Sequence, residues 1–220
     1  SENDLFRDVE IGPDGDIWAV GHTRSTDNPT TENAYNKTLN GKEMDFMVVK
    51  LDSTGTFLKY SSYVGGTGLE MISNNRIMSV DDQGRMVFVG ETQSSDYPVT
   101  PDAFEPSFNG DSRMRTRNKG TLTMISPTTG ELHYSTYIGG EIATYARSMV
   151  MDDSGNIYVS GNTRSSDFPI TEGAYLEEMP GFDALFLMKI NLSLTDPIVY
   201  STYFGGPGFS TLTCIDVDEK

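Results

Sequence analysis

Tyr60-Ser-Ser-Tyr-Val-Gly-Gly66 recurs as Tyr134-Ser-Thr-Tyr-Ile-Gly-Gly140 and again as Tyr200-Ser-Thr-Tyr-Phe-Gly-Gly206. The copies lie 74 and 66 residues apart. A second block keeps phase with the first: Gly15-Asp-Ile-Trp-Ala-Val-Gly21, Gly84-Arg-Met-Val-Phe-Val-Gly90 and Gly155-Asn-Ile-Tyr-Val-Ser-Gly161. A third follows each of these: Ser25-Thr-Asp-Asn-Pro-Thr-Thr31, Ser94-Ser-Asp-Tyr-Pro-Val-Thr100 and Ser165-Ser-Asp-Phe-Pro-Ile-Thr171. Three blocks that hold their order through three copies define a repeat protein.

Each copy reads as four strands. In the first, Val9 and Ile11, Met78 and Val80, and Met149 and Met151 stand two apart, which puts both members of a pair on one face. An acid-rich turn follows, ending at Gly15, Gly84 or Gly155, where a glycine at φ > 0 suits a tight hairpin. The second strand is the Ile17–Gly21 block and its partners. The third spans 46–51, 121–125 and 185–190, and the fourth 58–64, 133–138 and 199–204. Thr31, Thr100 and Thr171 are placed to cap a single helical turn after each Asp-x-Pro block. Four-stranded antiparallel sheets that are apolar on both faces imply blades stacked about an axis. The expected architecture is all-β and propeller-like, with repeats at 1–66, 67–140 and 141–206. Residues 207–220 would be the first strand of a fourth.

The motifs together resemble the bacterial SBBP β-propeller repeat family. The third copy, Met151-Asp-Asp-Ser-Gly-Asn-Ile-Tyr-Val-Ser-Gly161, is similar to its pattern throughout, as are Asp45-Phe-Met-Val-Val-Lys-Leu51 and Asp183-Ala-Leu-Phe-Leu-Met-Lys-Ile190. The second copy departs as Gly120-Thr-Leu-Thr-Met-Ile125, without the acid or the lysine. The resemblance implies blades of a seven-bladed ring in a large, repetitive extracellular parent, with no catalytic motif to carry over.

A net charge of −16 opposes nucleic acid and anionic membrane as partners. No run approaches 18 apolar residues, so no membrane-inserted helix is expected. Ser1 opens directly onto globular sequence, so any leader is expected to have been removed. The single cysteine, Cys214, excludes an intramolecular disulfide and reads as a small buried hydrophobe.

No catalytic or cofactor-binding residue emerges. His22 and His133 fall in different copies. The turn acids Asp14, Asp16, Asp81, Asp82, Asp152 and Asp153 are weak Ca²⁺ candidates, lacking the dense oxygen spacing of a calcium loop. Asp27, Asp96 and Asp167, before each proline, read as structural Asx turns. The paired tyrosines read as packing rather than a sugar-stacking stripe. The long loop of the second copy, 105–119, carries Arg113, Arg115, Arg117 and Lys119, a basic candidate for docking onto an acidic neighbour. The expected function is a non-enzymatic extracellular or cell-surface scaffold or adhesion module of a larger bacterial protein. Its partners would be further blades of that parent, a surface protein or glycan, or a second copy. Two copies would form a six-blade ring, each thirteenth strand completing a blade of the other. The alternative is a carbohydrate-active or lyase-type propeller with a channel site, which the apolar first strands disfavour.

Overall fold

Short runs of β-branched and aromatic residues, each closed by a glycine- or acid-rich turn, can satisfy their backbone only by pairing sideways. The computed structural model, which describes residues 4–109, 118–208, 210, 212 and 214–218, arranges them as three blades. The first blade is β1 (Asp4–Ile11), β2 (Ile17–Thr23), β3 (Asp45–Leu51) and β4 (Leu58–Val64), antiparallel and in sequence order. In the second, the inner strand is split into β5 (Glu70–Met71) and β6 (Met78–Val80). Both pair with β7 (Met86–Thr92), which is followed by β8 (Lys119–Ile125) and β9 (Leu132–Ile138). The third is β10 (Thr144–Met151), β11 (Ile157–Thr163), β12 (Ala184–Ile190) and β13 (Ile198–Phe204).

The register repeats as faithfully as the sequence. Asp4, Glu70 and Thr144 face Thr23, Thr92 and Thr163, and Val9, Met78 and Met149 face Ala19, Phe88 and Val159. Gly15, Gly84 and Gly155 take φ of 78°, 69° and 77°, a left-handed conformation that costs other residues. Blades stack face to face, β7 against β10 and β3 against β5, and their contacts form one continuous core. Phe46 of the first blade meets Phe88 of the second edge-on at 5.4 Å.

Three expectations need correction. No helical turn follows the Asp-x-Pro blocks. A single turn closes there, with Ala34, Ala103 and Ala174 N–H donating to the carbonyls of Thr31, Thr100 and Thr171. The threonine hydroxyls do not cap it; they pair with the backbone of Ser61, Ser135 and Ser201 on the outer strands. Among the described residues of 207–218 there is no strand; Ile215 meets β10 through a side chain, its N–H donating to Ser148 Oγ, and not through a backbone ladder. Cys214, in that stretch, is exposed rather than buried.

Candidate functional site

The outer strand of each blade acts as a bolt for the connection that crosses it. The hydroxyls of Tyr63, Tyr137 and Tyr203 donate to the carbonyls of Ser25, Ser94 and Ser165 at 2.7–2.9 Å, fixing the start of each Asp-x-Pro segment. The other tyrosine of each pair accepts further along, Tyr60 from Tyr35 N–H and Tyr134 from Phe104 N–H. Both members of a pair therefore serve one connection, and Tyr60, Tyr63, Tyr134, Tyr137 and Tyr203 are buried. The aspartate before each proline works at longer range than an Asx turn. Asp96 accepts from Thr67 N–H at 2.9 Å, and Asp167 from Glu141 N–H at 2.9 Å. Each thus caps the backbone just past the Gly-Gly of the preceding blade. For Asp27 the residue equivalent to Thr67 and Glu141 lies outside the described residues.

The residue after each strand-two glycine also reaches forward. His22 Nδ1 accepts from Ile72 N–H, Glu91 pairs with Arg147 at 3.2 Å, and Asn162 Nδ2 donates to Ser210 C=O. Burial lowers the His22 pKa, which keeps the ring neutral and its Nδ1 free to accept. The first residue of the third strand stands behind it. Asp45 meets Glu70 at the first seam. At the second, Lys119 donates to Gly139 C=O at 3.1 Å, beside Thr144. Asp183 lies one residue ahead of this register, since Ala184 faces Thr163, and it takes Asn162 Nδ2 and Arg164 Nε instead.

Residues 133–169 match the SBBP family model, described as a beta-propeller repeat. The chain carries an SBBP beta-propeller repeat. The matched SBBP segment begins on the outer strand of the second blade and ends in the Asp-x-Pro block of the third. It therefore runs across a seam and contains both Tyr137 and Asp167, the bolt of one blade and the cap of the next.

Around these blades the turn acids gather at one end. Glu10, Asp81, Asp82, Asp152 and Asp153 line an open hollow of about 430 Å³. The carboxylates nearest each turn are already engaged. Asp14 bonds Lys50 at 2.6 Å and Asp16 bonds Lys59 at 2.6 Å, and the Lys50 ammonium holds the Asp14 carboxyl down to about 2. Asp81 binds Arg85, and Asp152 accepts from Ser154 N–H, Asn156 and Tyr158. Asp82 and Asp153 face solvent. Among the described residues no three metal-ligating side chains converge. The two histidines stay apart, His22 at the first seam and His133 beside Arg85 on the second blade.

The basic segment splits differently. Arg113, Arg115 and Arg117 lie outside the described residues. Lys119 is not a loop residue; it opens β8 and is buried, where desolvation lowers its pKa.

The two end faces of the stack carry exposed apolar residues. Phe6 and Val9 on β1 are 50% and 63% exposed, whereas their counterparts Ile72, Met78, Ala146 and Met149 are at most 4% exposed. On the far face Leu187 and Phe204 are 36% and 54% exposed. Val48, Val64, Leu122 and Ile138, their counterparts, are fully buried.

Proposed function

We propose that this chain is a non-enzymatic scaffold and binding module of an extracellular or cell-surface bacterial protein, working as part of a larger ring that has seven blades on the family resemblance. The observation that carries this reading is the pair of apolar end faces, open where every equivalent position inside the stack is covered by a neighbouring blade. Apolar sheet faces of this kind are normally occupied. A second feature agrees with it. Arg7 sits in the bulge of β1 as Arg147 sits in that of β10, and Arg147 has the preceding blade's Glu91 as partner. The Nε of Arg7 is buried without a partner, in the place where an incoming blade would bring an acid.

Further blades suit these faces better than a second copy. Ile215 N–H already donates to Ser148 Oγ on β10. That is where a second copy would have to seat its own β1. Nor would that segment complete a partner's blade, since each blade here has its four strands. The net charge of −16 favours solubility in an open, salty setting and agrees with an extracellular site. A surface protein or glycan is the fitting class of ligand for such a module.

Sedimentation with hydrophobic-dye binding tests the reading. The 220-residue chain should bind dye or self-associate, and Phe6→Ser with Phe204→Ser should reduce both. A dye-silent monomer would sink it.

A further inference from the structure

Asp45 opens β3 and Glu70 opens β5, and neither has any solvent exposure. Each carboxylate has one oxygen well served. Asp45 Oδ2 accepts from Asn40 N–H at 2.8 Å, and Glu70 Oε1 accepts from the hydroxyls of Thr92 and Ser94. The remaining oxygens, Asp45 Oδ1 and Glu70 Oε2, are buried with no donor at hydrogen-bond geometry, the Gly66 N–H being the backbone group that acts on the Glu70 carboxylate. They converge over Gly65, where an added Cβ would lie 2.5 Å from the first and 2.7 Å from the second. The two side chains are within hydrogen-bonding reach of one another.

Two ionised carboxylates at this distance would repel each other and leave both oxygens unsatisfied in a buried seam. One proton removes both faults, since a carboxyl O–H donated to the opposing carboxylate gives a short, charge-assisted bond. A divalent cation suits the place less well, because Ca²⁺ takes six to eight oxygens and only two here are uncommitted. We propose that Asp45 and Glu70 bind one proton between them, and that this proton locks the seam between the first and second blades.

The charged neighbours acting on Asp45 are Glu70 and, from the connection after β7, Asp96; both are acids and favour retention of the proton. Tyr97 and Tyr137 also feel the Glu70 charge. Across the same seam, His22 on β2 is flanked by Arg7 and Arg24. Burial, with the Glu70 charge adding to it, pushes the Asp45 carboxyl up to about 8, and burial raises Glu70 as well. At the second seam Lys119 and Thr144 hold the matching positions, so the device belongs to the first.

The sign follows from the raised value. Between the ordinary carboxylate value of 3.8 and about 8, the folded chain holds a proton that the unfolded chain has released. Its contribution is therefore complete at acid pH and declines as pH rises through that window. His22 has the opposite sign and acts only below about 6.5, and comparison with Asp45→Asn separates the pair from the other carboxyls that burial raises, Glu91 and Glu10.

The test is ¹³C-carboxyl NMR titration of the intact chain, with urea unfolding of wild type and Asp45→Asn. One carboxyl of the pair should remain protonated at pH 6.5 and titrate near 8. The wild-type folding constant should fall about tenfold more than that of Asp45→Asn between pH 6.5 and 7.5, because the asparagine N–H replaces the O–H donor. Should that variant not fold, Glu70→Gln supplies the same donor from the other side, and the wild-type titration still decides. Finding both carboxylates ionised at pH 6.5 would overturn the proposal. So would an unchanged slope in the variant, or Ca²⁺ raising the unfolding midpoint of wild type but not of Asp45→Asn.

Discussion

The ring of Phe46 lies against the α-carbon of Gly90, in the space that a Cβ at that position would fill. The contact spans the first seam, with Phe46 also edge-on to Phe88 and Tyr97. Gly90→Ala should therefore destabilise the chain by about 1–3 kcal/mol through overpacking. Phe46→Leu in the same chain should recover part of that loss. A double-mutant cycle in urea reads the coupling, and simple additivity of the two substitutions would count against the contact.

Tyr137→Phe removes one hydroxyl that both donates to Ser94 C=O and accepts from Tyr97 N–H, all three groups being buried. The expected cost is about 1–3 kcal/mol, since backbone groups are left unsatisfied. Tyr200→Phe should cost less, because the bond from Tyr175 N–H is 3.5 Å long and exposed. Thermal unfolding of the two variants side by side checks the order.

Gly155 has a positive φ and open space where a Cβ would go, so alanine there meets conformational strain and no clash. Gly155→Ala should lose about 1 kcal/mol or somewhat more. Gly155→Asn should lose less, as asparagine tolerates the left-handed region. Equal losses in the two variants would show that the cost is not a matter of φ.

Lys50 joins Asp14 and Asp16 and lies over the ring of Trp18 at 5.1 Å. The lowered Asp14 carboxyl contributes stability that is present above its ordinary value of 3.8 and lost as pH falls toward about 2. In Lys50→Met that acid-side loss should flatten. Acid titration followed by circular dichroism measures it, and an unchanged acid limb in the variant would remove Lys50 as the cause.

The second, third and fourth strands of every blade were legible because their pattern is local: alternation, turn glycines and motif phase. The split inner strand of the second blade was harder to read. Its extra residues before Ile77, where Arg76 takes φ 57°, carry no sequence signal that separates an insertion from a longer strand. The bolts were half visible. The tyrosines and the Ser-x-Asp-x-Pro blocks stood out, yet which met which depended on blade geometry. Asp96 reaches Thr67, 29 residues earlier, which local turn chemistry does not suggest. Glu70 was missed altogether. It matches Asp4 and Thr144 in register, and only packing of one blade on the next brings it to Asp45. Lys119 was misplaced for a related reason, since a basic run looks solvent-facing until the strand boundary cuts through it.

Asp96 and Asp167 each clasp the entry to their own blade, at Thr67 and Glu141, just past the preceding Gly-Gly. Clasp and backbone travel together, like a cuff sewn to its own sleeve, so what joins one blade to the next is the packing of their faces. The outer blades are covered on one face and the middle blade on both. Unfolding should accordingly start at the outer blades and travel inward, and the middle blade should be the last to exchange its amide hydrogens.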